Sequence, residues 1–461
     1  MSEAATSGLS LALATNLLAV RGEDLSHSTL RAAARSLLDG IGVMQAASAL
    51  APEVEAFLSY AAGQRTQSGA TVLGTGMRVP ALTAALANGA LAHALDFEDG
   101  LDTAPVHPNA SLIPALLALA QTHEDISGAR LLAALAVGCE TTCRLAHSLR
   151  QPLEQGGWYP PPLLGAWGAV AGAAHLMRLS PQQLLDAWSL MLLQTSTPGE
   201  IKHGRESSIR AIREAFPAQA AVSVVQLAAL GVRGFAAPLE GRDGFFRLFA
   251  GGHYDAAELR RPWGERWYIQ SLSFKPWPSC RGTHAAIECA LKLRAKVEDL
   301  AGLARIVVEG GEVQRMLAEP RARKCAPAGA IEAKFSLPFT VAAALLDGVV
   351  TLDTFEARNL ARPAIRELAS RVEFEARADW VNGPAVSGAL RLVLADGREL
   401  REEIIEPRGA PSRPLDDAAL IDKFVACCGR ARQPMLKDDA IALAARLLDL
   451  QREPAVSQLP L

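Results

Sequence analysis

The chain has 461 residues, half of them apolar and 21% charged, with a formal net charge of −3. That length holds two or three domains of ~100–200 residues, and the near-neutral balance excludes both a basic surface for nucleic acid and an acidic tail. The N-terminal stretch lacks the basic segment and cleavage pattern of a secretory leader, and the apolar run at 220–232 is shorter than the ~20 residues a bilayer requires. A cytoplasmic protein without membrane or nucleic-acid partners is therefore expected.

Alanine and leucine dominate while aromatics are 5%, which favours helices. From the N-terminus to about residue 265 the periodicity is helical. "STLRAAARSLLDGIGV" places Leu30, Ala34, Leu37, Leu38 and Ile41 on one stripe behind a Ser/Thr start. Similar stripes recur in "PALTAALANGALAHAL", "LIPALLALAQT", "ARLLAALAVGCETTCRLA", "LGAWGAVAGAAHLMRL", "SPQQLLDAWSLMLLQ" and "PAQAAVSVVQLAALGV". Their glycines and alanines allow close helix approach. After residue 265 the texture changes. "LARIVVEGG" and "RVEFEA" read as strands, and "GALRLVLADGRELREEIIEP" alternates about Asp396–Gly397 as a hairpin. "AAIECALKLRAKV" and "PFTVAAALLDGVV" supply helices between them, and the last segments return to helix. The expected fold is mostly α: a large all-helical domain from 1–265 and 405–461, with a smaller α+β lid domain, 266–404, inserted in it.

Four stretches carry candidate chemistry. "NGALAHALDFEDGLDTAPVHPNA" brings His93 and His107 together with Asp96, Glu98, Asp99 and Asp102 between apolar segments. It fails as a calcium loop, because Leu101 stands where a glycine belongs and His107 where the last ligand is a glutamate. It also lacks the i, i+4 histidine pair of a zinc helix. Asp96 and His107 are the expected pocket pair. His93 is expected to buttress Asp96, and Glu98, Asp99 and Asp102 to take solvated loop or capping roles. In "FKPWPSCRGTHAAIECAL", two prolines present Lys275, Cys280 and Arg281 ahead of a helix that starts near Thr283–His284, an arrangement suited to an anion or equally to a hinge. "EAKFSLPFTVAAALLDG" sets Lys334 and Ser336 before a helix. "TPGEIKHGRESSIRAIREAF" carries Lys202, His203, Arg205, Arg210 and Arg213, either a solvated face or cations for a polycarboxylate. The seven cysteines contain no C-x-x-C pair, so neither a zinc ribbon nor a disulfide framework is suggested.

Together these stretches resemble the MmgE/PrpD family, in family order from about residue 30 to 350. The motifs are "NGALAHALDFEDG" followed by "HPNASLIPALLALA", "LLAALAVGCETTCRL", "RGFAAPLEGRDGFF", "KPWPSCRGTHAAIECAL" and "AKFSLPFTVAAALLDG". The resemblance implies a helical domain with an α+β lid, a cofactor-free active site and a homodimer. It also implies catalytic roles for Asp96, His107 and Lys275, and substrate-binding roles for Cys280, His284 and Lys334. Four positions depart from the family pattern. Tyr159 takes the place of a histidine and is the expected additional proton donor. Arg213 and Phe216 stand for a lysine and a second histidine, and Gly100 stands where the decarboxylase branch has threonine. Lys202, Arg213 and Arg281 complete the expected substrate-binding cations.

The implied function is a lyase or epimerase acting next to a carboxylate of a small (poly)carboxylic acid, by dehydration, decarboxylation or epimerisation. Two alternatives stand beside it, a non-catalytic carboxylate-binding member and a metal-dependent hydrolase or lyase on the Asp/His cluster.

Overall fold

A computed structural model describes residues 8–204, 207–380 and 385–461. The chain divides into two compact units. The first takes residues up to Ala94, then Glu98–Leu272 and Asp416–Leu461. The second takes Leu95–Phe97 and Ser273–Leu415. No helix of the described residues is long and apolar enough to cross a membrane.

The first unit is built of helices. His27–Leu50 starts at Ser26, whose hydroxyl accepts from Thr29 N. Ala81–Ala94, Pro108–Gln121, Gly128–Ser148, Pro160–Leu176 and Ala215–Ala229 follow, and Asp417–Cys428 and Lys437–Leu448 return to pack on His27–Leu50. Gly128–Ser148 and Pro160–Leu176 meet at small residues. A Cβ added to Gly168 would stand 2.5 Å from the carbonyl oxygen of Gly138, so only glycine allows this approach. The core is alanine, leucine and two fully buried tryptophans, Trp167 and Trp188.

One element of this unit departs from the helical expectation. β1 (Ala70–Val72) and β2 (Met77–Val79) form a short antiparallel hairpin. Strands of three residues are too short to leave an alternating pattern, and the turn signal lies in Gly74 and Gly76, both at positive φ. Asn88 reaches across to this hairpin, accepting from Leu73 N at 2.9 Å and donating to Thr71 O at 2.9 Å.

In the second unit, β3 (Leu303–Gly310), β4 (Val372–Ala376), β5 (Gly388–Leu394) and β6 (Glu399–Ile404) form one mixed sheet in the order β4-β3-β5-β6. Only the β3–β4 pairing is parallel. Ile306, Val308, Leu390 and Leu392 face a core shared with helices His284–Arg294 and Leu337–Asp347. The opposite face carries Arg305, Glu309, Glu373, Glu375, Arg391 and Arg401 in cross-strand ion pairs. Gly397, at φ 86, closes the β5–β6 hairpin.

Candidate active site

In the first unit, helix Ala81–Ala94 ends with His93 in its last turn, and helix Pro108–Gln121 begins after His107, its N-cap residue. The intervening chain folds back on itself through the Leu101–Val106 bridge. This return places Glu98 between the two imidazoles. His93 Nδ1 is in short hydrogen-bond contact with Glu98 Oε1, and His107 Nδ1 lies 2.9 Å from the same oxygen and 3.1 Å from the Asp99 carbonyl. With its Nδ1–H donated to these acceptors, His107 keeps Nε2 as the basic nitrogen. The ligand-type atoms of His93, Glu98 and His107 lie within 4.8 Å of one another. As it stands the trio is hydrogen-bonded through Glu98, and its donor set is also one that could hold a metal ion.

One expectation for this loop is corrected, the solvated setting of Glu98 and Asp99. Glu98 and Asp99 are not solvated: they are 3% and 2% exposed. His93 pairs with Glu98. Hydrogen-bonding partners make this burial tolerable, since Asn109 Nδ2 donates to Asp99 Oδ2 at 2.8 Å. Burial, reinforced by the nearby Asp39 charge, pushes the Asp99 carboxyl up to about 7. Asp39 is itself paired with Lys423 at 2.6 Å. Between roughly pH 4 and pH 7 the folded protein thus holds a proton on Asp99 that the unfolded chain has released. Asp99 therefore contributes stability at low pH that is lost as pH rises toward 7, on the order of 1.4 kcal/mol per pH unit. Asp99→Asn, whose amide does not ionise, is expected to lose less thermal stability than wild type between pH 5 and pH 8. Equal losses in scanning calorimetry would refute this assignment.

A second cluster in the same unit was only half visible in the sequence. Arg213 is buried. Its Nε donates to Glu214 Oε1 at 2.9 Å and its Nη1 to the Tyr159 hydroxyl oxygen at 2.6 Å. Ser111 Oγ donates to the other oxygen of Glu214, which is fully buried. Burial alone would lower the ionisation of Arg213, but Tyr159 and Glu214 beside it hold the guanidinium above its ordinary value. Because the tyrosine oxygen accepts from Arg213, its own O–H is aimed elsewhere. Ser111 and Glu214 carried no signal except their neighbours Pro108–Asn109 and Arg213. Lys202 is partly exposed, 3.4 Å from Glu154 and 5.5 Å from the Tyr159 ring centre. Phe216 is 59% exposed, and Arg205 lies outside the described residues.

In the second unit, Asp96 adopts φ 48, one of two non-glycine residues at positive φ among those described. Such a conformation costs of order 1–3 kcal/mol and concentrates at functional sites. Lys275 holds it there: its Nζ donates to Asp96 Oδ1 at 2.5 Å and to the Asp96 carbonyl at 2.9 Å, and both side chains are 2% exposed. Pro276 and Pro278 fix their own φ in a segment that bends over 276–279, where Ser279 N–H donates to Trp277 O at 2.9 Å. Lys334, also buried, donates to the carbonyls of Leu95 at 2.7 Å and Pro278 at 3.2 Å, so it clasps the backbone on both sides of the Asp96–Lys275 pair. His284, fully buried, has its ring 5.3 Å from that of Trp277. Burial, with the Arg281 and Lys275 charges, drives its ionisation well below the ordinary histidine value. Its Nε2 donates to Ser279 O at 3.2 Å and its Nδ1 accepts from Arg281 Nη1 at 3.3 Å. Arg281 also ties down the carbonyls of Pro407 and Arg408. Cys280, partly buried, donates its N–H to Lys334 O at 3.0 Å.

Residues 11–257 match the MmgE/PrpD N-terminal domain and residues 277–449 the MmgE/PrpD C-terminal domain. The chain belongs to the MmgE/PrpD family. Among its relatives is the cis-aconitate decarboxylase of Homo sapiens, 27% identical over 94% of this chain and 91% of that protein. The Mus musculus enzyme is 25% identical over 94% and 90%, and that of Aspergillus terreus 24% over 88% and 86%. The matched stretches take in Asp96, Glu98, His107, Tyr159 and Arg213 on the N-terminal side and Cys280, His284 and Lys334 on the C-terminal side, and Lys275 falls just ahead of the second.

Proposed function

We propose that this MmgE/PrpD protein is a cofactor-independent lyase or epimerase, working as a homodimer on the carbon next to a carboxylate of a small polycarboxylic acid. The observation that carries the reading is Asp96, held at positive φ by a buried lysine two residues before Glu98, the carboxylate that orients His107. Burying an ammonium and straining a backbone both oppose folding, so the pair is best explained by chemistry. His107 Nε2 exchanges a proton with the substrate carbon or leaving group. Lys275 brings positive charge to the enediolate that forms when a C–H or C–CO₂⁻ bond next to a carboxylate breaks, and a low dielectric strengthens that attraction. Tyr159, its oxygen already accepting from Arg213, serves as the second proton donor.

The relatives are named cis-aconitate decarboxylases, and the family resemblance sets Gly100 where that branch carries a threonine. A Cβ at Gly100 would stand 3.5 Å from His107 Nδ1, so a side chain at this position would pack against the ring. Dehydration and epimerisation therefore stand beside decarboxylation. An NMR time course in D₂O with cis-aconitate, citrate, 2-methylcitrate and iminodisuccinate tests the reading. Deuterium entering one acid, or a new product, is the expected result. A broader carboxylate panel in which no proton exchanges would sink it in favour of a carboxylate-binding protein.

A further inference from the structure

The first unit contains a cavity of about 360 Å³ that the acid/base reading leaves unused. Ligand pockets run ~300–1,000 Å³, so this one holds a small organic group. Arg213 lines it, which links it to Tyr159, and Tyr159 is also joined to its wall through Thr197, whose hydroxyl donates to the Tyr159 carbonyl at 3.0 Å. Most of the wall is apolar, from Met191, Ile201, Ile209, Ile212 and Phe216. Phe216 and Ile209 are 59% and 52% exposed, a cost in water-facing apolar surface that a bound alkyl group would relieve.

The charge balance points the same way. Among the described residues the charged members of the lining are Arg213 and Glu200. The Arg213 guanidinium is matched by Glu214 at 2.9 Å. Within the described lining a carboxylate would thus lose water, meet a guanidinium already charge-paired with Glu214 and face Glu200. We propose that the cavity receives an uncharged aliphatic arm of the acid, so that the substrate class is an alkyl-substituted dicarboxylate rather than a tricarboxylate. This rests on the reading of the protein as a carboxylic-acid enzyme.

Two unreactive acids that differ in that arm test it by isothermal titration calorimetry. They are 2-butylsuccinate and propane-1,2,3-tricarboxylate. Wild type is expected to bind the alkyl acid at least about tenfold more tightly, the scale on which a hydrophobic pocket discriminates. Phe216→His and Ile209→Asp, both at exposed positions, are expected to shrink or reverse that ratio with the unfolding midpoint unchanged. Equal or tighter binding of the tricarboxylate, no binding of either acid, or a ratio indifferent to both substitutions overturns the proposal. So does a change of oligomeric state on size exclusion with the ratio intact, which would make this face an interface between copies. If the alkyl acid binds with the expected preference but no acid exchanges a proton in D₂O, it is the catalytic reading that fails and the cavity assignment that stands.

Discussion

Lys275→Met is expected to abolish turnover and to destabilise the fold together, by about 3–5 kcal/mol, because it strands the buried Asp96 carboxylate in a strained turn. The double variant Lys275→Met/Asp96→Asn separates the two effects. Asparagine tolerates positive φ at least as well as aspartate and carries no charge to strand. The pair of substitutions should recover most of the stability in urea unfolding while activity stays lost. Recovery of activity along with stability would show that the ion pair only holds the turn. A single Lys275→Met variant that unfolds like wild type would contradict the burial argument itself.

His107→Gln should behave in the opposite way. The side chain is 20% exposed and sits at a helix start rather than in the core. A glutamine amide can still donate toward Glu98, so the change in stability is expected to stay within ~1 kcal/mol. Proton exchange at the substrate carbon should nevertheless fall about 10²–10⁴-fold, the range a general acid or base contributes. Stopped turnover with normal substrate binding and a normal unfolding curve is the outcome that assigns His107 to the chemistry. Retained turnover would move the proton transfer to another group, Tyr159 first.

Lys275 illustrates how a sequence expectation changes once its surroundings are known. From spacing alone it is a cation placed before a helix. Its partner is far away in the chain, and that partner makes it structural as well as chemical. Lys334 shows the same shift. It was expected to meet substrate, and it holds the carbonyls of Leu95 and Pro278. His284 was expected to bind an anion, yet burial keeps it neutral and its ring nitrogens are engaged by Ser279 and Arg281.

Local pattern determined a good deal. The helical stripes, the strands 303–310 and 372–376, the hairpin about Gly397 and the Ser336 cap of helix Leu337–Asp347 all follow from periodicity, turn chemistry and capping. Each of these acts over a few neighbouring residues. The motifs around Asp96, His107 and Lys275 likewise identified the family without any coordinates. Only the tertiary structure decided which acids of "DFEDG" are buried, that Glu98 joins two histidines, that Glu214 and Ser111 brace Arg213 against Tyr159, and that Asp96 is strained. The physical reason is that a carboxylate's exposure, ionisation and backbone geometry are set by groups brought from distant parts of the chain, such as Asp39, Asn109 and Lys275. Nothing in the local run of residues encodes which of those groups will arrive.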